Sequence, residues 1–283
     1  MTYDARQRTV PIVLAIAGSD SGGGAGIQAD LKTFQSLNVY GTCAITCITA
    51  QNPQEVRAIA EITPNMVAQQ IKAVCDYFPV VAVKTGMLYS AGIIRAVAKT
   101  LEKYRIKYLV IDPVMISTSG TRLLRKDAVK TLCDELIPMA TVITPNVPEA
   151  EILCGHIIAS IDDMKIAARI IGEKFGVACV IKGGHLGKYE CGVRSAECGR
   201  MKPEGRRLND RRRTTDDRVH VTDVLYFKGK IKEYSAQKIN AGTTHGTGCV
   251  FSAALTAFLA RGERLDQAVP KAKSFIGNIL KNY

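Results

Sequence analysis

Short apolar, β-branched runs alternate along this chain with amphipathic stretches of helical length, and that alternation leaves few folds open. Residues 11–17, 41–50, 80–84, 107–112, 141–144 and 177–182 read as buried strands. Residues 26–37, 64–77, 91–103, 127–137, 148–154, 162–175, 247–259 and 265–280 read as helices. Ile27, Leu31 and Phe34 share one face of the first, and Val67, Ile71 and Val74 one face of the second. Strands that alternate with helices build βαβ units around a mostly parallel sheet with helices on both faces. Residues 221–227 and 230–235 flank Lys228-Gly229 and read as a hairpin. The expectation is an α/β fold in which the 283 residues form a single domain.

One segment lacks the pattern. Residues 186–220 hold ten Lys/Arg and six Asp/Glu, a net +4 of the chain's +12, and read as a flexible basic insertion. Few aromatic residues interleave Arg206, Arg207, Arg211, Arg212 and Arg213, so stacking on bases is poorly supported and a nucleic-acid partner is not expected. Nine scattered cysteines without a C-x-x-C pair argue against a zinc site and suit a reducing compartment. No apolar run is long enough to cross a bilayer, and the polar residues 1–9 hold no signal-peptide core, so a cytoplasmic protein without a membrane partner is expected.

In parallel α/β sheets, ligands bind at the carboxyl ends of the strands. Here those ends carry Gly18-Ser19-Asp20, Gln51-Asn52, Lys84-Thr85-Gly86-Met87, Asp112, Asn146 and Lys182-Gly183-Gly184. The most informative end precedes the helix at 247–259. Thr244-His245-Gly246-Thr247-Gly248-Cys249 is a glycine-rich turn opening directly into that helix, so several N–H groups and the helix dipole converge on one point that suits phosphate. The same field is expected to favour the thiolate of Cys249. No Walker-type loop is present, so this turn must do any phosphate handling. Phosphoryl transfer needs a cradle, a cationic clamp and a base. Gly246, Thr247, Gly248 and Cys249 supply candidates for the cradle, and Cys249 for the base. Lys182, with Thr244 and Gly248, is expected to meet the nucleotide phosphates. Asp112, and Asn146 with Glu149, are expected to hold Mg²⁺ directly or through water.

Residues 24–29 also match a dinucleotide fingerprint, but the second strand ends at Ala50-Gln51-Asn52, with no acid for a ribose. These glycines read instead as a place where a flat small molecule approaches the backbone.

At these residues the sequence closely resembles the hydroxymethylpyrimidine and phosphomethylpyrimidine kinases of thiamine biosynthesis, in the ribokinase-like superfamily. The resemblance rests on AGSDSGGGAGIQADLKTF (17–34), TAQN (49–52), KTGML (84–88), DPVM (112–115), ITPNVPEAEIL (143–153), IKGGHL (181–186) and THGTGCVFSAAL (244–255). It implies a three-layer ribokinase-like sandwich and a Mg²⁺-dependent transfer of the γ-phosphoryl of ATP. The acceptors implied are 4-amino-5-hydroxymethyl-2-methylpyrimidine and then its monophosphate. It further implies that the pyrimidine lies near Gly18, Asp30, Gln51 and Met87, that Cys249 is the base, and that the protein is a homodimer. The amide of Gln51 offers a donor and an acceptor to an aminopyrimidine edge. A related branch phosphorylates pyridoxal; Gln51 and the intact GGGAGIQAD segment favour the pyrimidine. Two features depart from the family pattern: the long 186–220 segment, and Ala241-Gly242-Thr243-Thr244 in place of a more usual Thr-Lys-Asn-Thr.

Overall fold

The computed structural model describes residues 10–116, 122–186, 220–239 and 246–281. Thr244 and nearly all of the basic insertion lie outside the described residues. The strands are β1 (Ile12–Asp20), β2 (Tyr40–Gln51), β3 (Val56–Glu61), β4 (Val80–Thr85), β5 (Tyr108–Ile111), β6 (Val142–Ile143), β7 (Ala178–Ile181), β8 (His220–Phe227) and β9 (Lys230–Gln237). They form one sheet in the order β3-β2-β1-β4-β5-β6-β7-β8-β9. The six strands from β2 to β7 are parallel, while β3, β8 and β9 add antiparallel edges.

The helices are α1 (Gly26–Ser36), α2 (Pro64–Tyr77), α3 (Ala91–Leu101), α4 (Lys126–Thr131), α5 (Val147–Cys154), α6 (Ile161–Phe175), α7 (Thr247–Ala260) and α8 (Leu265–Lys281). Side chains alternate across each strand, so the sheet feeds two cores. Leu14, Ile16, Val83 and Ile111 pack with Ile71, Ile93, Ala128, Ala150 and Met164 of α2 to α6. Val13, Ala15, Ala82 and Val110 pack with Ile27 and Phe34 of α1, Phe251 and Leu255 of α7, and Ala268 of α8. The result is the expected three-layer sandwich. α7 is apolar nearly all round because the sheet, α1 and α8 enclose it.

Three departures from the sequence reading have physical causes. The helix expected at 127–137 breaks after Thr131 into a π turn (Leu132–Leu136) and a 3₁₀ turn (Ile137–Met139). Pro138 lacks the N–H, and its ring excludes the carbonyl four residues back. β3 has no counterpart in the apolar pattern because one face of the β2–β3 ribbon is open: Ile48 pairs with Ala60 and Ala50 with Ala58, and all four are exposed. β1 runs past its apolar segment through Gly18-Ser19 to Asp20, with a register shift against β2 between Ala17 and Ser19. That extension carries the first glycine-rich loop out to the carboxyl edge. Beyond the end of β3, the Gln70 side chain pairs with the edge of β2: Oε1 accepts from Ile45 N (2.9 Å) and Nε2 donates to Ile45 O (3.0 Å).

The Lys228-Gly229 turn falls where expected, with φ of +50° and +76°. Positive φ at both central residues gives the twist that a two-residue hairpin loop needs.

Candidate active site

Because β1, β2 and β4 to β7 run in parallel, their carboxyl ends open on one edge of the sheet, where a cavity of about 300 Å³ lies. Gln51, Asp112, Asn146, Glu149, Lys182 and the whole turn from Gly246 to Cys249 line it. The sequence-expected residues therefore meet, apart from four. Thr244 lies outside the described residues, and Gly18, Asp30 and Met87 are buried behind the cavity wall.

Two glycine turns build the floor. Asp20 organises the first: its Oδ1 accepts from Gly22 N (2.9 Å), and its Oδ2 from Gly24 N (3.1 Å) and Ala25 N (2.8 Å). It stands in for the side-chain cap that Ala25, at the start of α1, cannot provide. The next amide, Gly26 N–H, faces Cys249 and eases the ionisation of its thiol. The second turn ends at Gly246 (φ +80°), where a Cβ would fall 1.8 Å from Gly24 O. Only glycine permits both the left-handed backbone and this approach. The N-termini of α1 and α7 consequently face the same point, and their partial positive charges add there.

The helix start was expected to favour the Cys249 thiolate. The structure sets a larger effect against it: burial pushes the thiol up, and the charges of Asp30 and Asp112 push the same way. Lys84 and the Gly26 N–H pull it back without winning.

Beside the turn, Lys182 Nζ lies 2.8 Å from Asp112 Oδ1, and Ser252 Oγ donates to Asp112 Oδ2 (3.1 Å). A Cβ on Gly248 would be 3.2 Å from Lys182 Nζ, so the bare turn leaves that cation room to act. Lys182 is fixed by its own N–H to Pro145 O (2.9 Å). Burial opposes its charge, but Asp112 and Glu149 outweigh burial and hold it protonated.

Asn146 and Glu149 form a capping box at the start of α5: Glu149 N donates to Asn146 Oδ1 and Asn146 N to Glu149 Oε2, each at 2.9 Å. Glu149 Oε1 also accepts from Met115 N (3.1 Å). Among the described residues, no three His, Cys, Asp or Glu side chains converge as a direct metal shell. What remains suits a hard cation held through water. Glu149 is pushed up first by burial, with Asp112 adding to the effect, and a divalent ion near both carboxylates would relieve each.

Sequence reasoning missed Lys84. Its Nζ meets Asp30 Oδ1 at 2.9 Å and Oδ2 at 2.8 Å, and both side chains are fully buried. Burial raises the Asp30 carboxyl to about 6, against the pull of Lys84. The KTGML motif was the available signal, but nothing local says what a lysine inside a buried strand pairs with. Asp223 and Lys273 were also missed. Asp223 accepts from Gly183 N (2.9 Å) and from Lys273 Nζ (2.7 Å), tying the turn after Lys182 to α8 at the far end of the cavity.

A profile of the phosphomethylpyrimidine kinase family matches residues 20–283. The hydroxymethylpyrimidine/phosphomethylpyrimidine kinase of Bacillus subtilis is 42% identical over 269 residues, covering 95% of this chain and 89% of the relative. The crystal structure of phosphomethylpyrimidine kinase from Clostridium difficile 630 superposes with a TM-score of 0.75 at 39% identity, over 95% of this chain and 99% of that one. The pyridoxal kinase of Staphylococcus aureus in complex with AMP-PCP and pyridoxal superposes with a TM-score of 0.78 at 32% identity, over 97% and 89%.

The contact between the two turns makes a prediction. Gly246→Ala forces Gly24 and Gly246 apart, and a displacement of about 1 Å costs on the order of 10²-fold in turnover. Steady-state kinetics should show that loss, with the melting temperature shifted by only a few degrees; wild-type turnover would mean the approach is incidental.

Proposed function

The chain belongs to the phosphomethylpyrimidine kinase family, and from that membership we propose that it phosphorylates 4-amino-5-hydroxymethyl-2-methylpyrimidine, and then the resulting monophosphate, with ATP in thiamine biosynthesis. The observation that carries this reading is the meeting of Cys249, Lys182, Asp112 and the Gly246–Cys249 amides in one cavity that Gln51 also lines.

In the first transfer, Cys249 Sγ as thiolate takes the proton of the hydroxymethyl group. That oxygen bonds to the γ-phosphorus as the bond to the ADP oxygen breaks. The amides of the turn, at the joint N-termini of α7 and α1, stabilise the charge on the moving phosphoryl. Lys182 stands beside the turn, where it meets the nucleotide phosphates. Asp112, with Asn146 and Glu149, would hold Mg²⁺, which would supply charge neutralisation for the phosphates. Gln51 reads the aminopyrimidine edge, its carboxamide oxygen accepting from Thr49 Oγ1 (3.2 Å). Gly18 and Met87 back this end of the site against the buried Cys47. Both Asp30 oxygens are bonded to Lys84 behind this end of the site.

We extend the proposal to assembly. The exposed apolar face of Ile48, Ala50, Ala58 and Ala60 lies on an edge ribbon, and a second copy covering it makes a homodimer. Among the described residues, no helix is long and apolar enough to cross a membrane. Seven free cysteines among the same residues fit a reducing, cytoplasmic setting.

Four measurements test these assignments. Cys249→Ala should lower kcat by on the order of 10²; wild-type kcat would dismiss the base. Because the thiol is pushed up, the wild-type rate should climb as pH rises from neutral into the alkaline range. Cys249→Asp, ionised throughout, should flatten that climb. Gln51→Leu should raise KM for the pyrimidine alcohol more than KM for ATP, with products resolved as mono- or diphosphate and pyridoxal run in parallel; equal effects on both KM values, or faster turnover of pyridoxal, would count against the pyrimidine. Ile48→Asp should convert a dimer to a monomer by sedimentation velocity, and a monomeric wild-type protein would end the dimer proposal.

A further inference from the structure

Lys84 is not part of the cavity wall; it is a buried ammonium behind it. Its Nζ donates to the two oxygens of Asp30, which leaves one of its three N–H donors without a hydrogen-bond partner among the described residues. A buried ion pair is a weak source of stability, because desolvation cancels most of the attraction, and apolar side chains of similar volume often serve the fold as well. The placement of this pair accounts for its presence better than stability does.

Asp30 lies one helical turn beyond Gly26 on α1. The helix face that grips Lys84 therefore also presents the Gly26 N–H to Cys249. Just after β4, Gly86 keeps the space beside the ammonium clear, since a Cβ there would stand 3.0 Å from Lys84 Nζ. Cys249 responds to the positive end of the pair more than to the negative one: Lys84 eases its ionisation more than Asp30 hinders it.

With Cys249 read as the proton acceptor, we propose that Lys84 is a positioning residue for phosphoryl transfer. Anchored by Asp30, it fixes a buried positive charge near the Cys249 sulfur and locks α1, and with it the first glycine turn, against the Gly246–Cys249 turn. The charge favours the unprotonated sulfur, the form able to take the hydroxymethyl proton.

The test replaces the pair by apolar side chains, Lys84→Met with Asp30→Leu, in the full chain. Three readings are taken: melting temperature, kcat and KM for both substrates, and the rate at which iodoacetamide alkylates Cys249 at neutral pH, followed by peptide mass spectrometry. The proposal expects a near wild-type melting temperature and KM values within about threefold, with kcat and the alkylation rate each falling on the order of tenfold or more. A merely structural pair gives the opposite sign in one reading, because a loosened site exposes the sulfur and alkylation speeds up. Faster alkylation, or kcat within about threefold of wild type, overturns the proposal. Should the double variant not fold, Lys84→Gln removes the charge while keeping a donor for Asp30, and the same loss in kcat and alkylation is expected; failure of both to fold assigns the pair to the fold and overturns the proposal. Wild-type turnover by Cys249→Ala would remove the base reading and this proposal with it. Loss in Cys249→Ala alongside normal turnover of the double variant removes only the role of Lys84.

Discussion

The site depends on the contact of two glycine turns that come from opposite ends of the chain. Gly24 O packs where any side chain at 246 would stand, and the Gly26 amide faces Cys249. Bringing two helix N-termini together sets like partial charges face to face, which is unfavourable unless something negative lies between or beside them. Asp20 provides part of the answer by accepting with its carboxylate from the amides of Gly22, Gly24 and Ala25. The next amide, which Asp20 does not take, is the one that faces Cys249. The electrostatics left over at the junction therefore favour an anion at the point where a phosphoryl group would pass.

Around that junction, charge is arranged along the sheet edge as ion pairs: the fully buried Asp30 with Lys84, then the buried Asp112 with the partly exposed Lys182, with Glu149 beyond. In the fully buried pair each member neutralises its partner, so removing one leaves an uncompensated buried charge at a cost of about 3–5 kcal/mol. Few substitutions can be accepted singly, and the geometry is correspondingly stiff. The parallel register supplies the rest. Asn146 forms a bridge with Lys182, so the same residue that caps α5 also places the cation that faces the turn.

The strands were legible because parallel strands covered on both faces read as near-continuous apolar runs. β3 was not, because its ribbon has an open face and its pairing with β2 depends on tertiary contact. The glycine turns were legible because their conformational demand is local. The ion pair between residues 30 and 84 was not, since nothing in the intervening sequence encodes it. Asn146 and Glu149 show a subtler limit. Their spacing fits both a metal-holding pair and a capping box, and the structure makes them a capping box whose two residues also line the cavity. Cys249 shows the same limit in electrostatics: the helix start is visible in sequence, whereas the burial that outweighs it belongs to the fold.

Kinases of a pyrimidine and of pyridoxal share this architecture, so the sandwich itself does not choose the acceptor. The choice must lie where backbone is constant and side chains differ. In this chain a small apolar cluster of Cys47, Met87 and Leu123, bordered by Val56, Ile59, Tyr89 and Val114, lies apart from both main cores. It is built from the β2–β3 ribbon, the end of β4 and the segment after β5, and Gln51, Val114 and Leu123 carry it to the cavity. A Cβ on Gly18 would stand 2.7 Å from Cys47 Sγ, so the first glycine loop and this cluster cannot move independently. The apolar cluster and the anion-binding junction are therefore mechanically linked through one loop. A change of side-chain size at Cys47 is felt at Gly18, on the strand that feeds the first glycine turn.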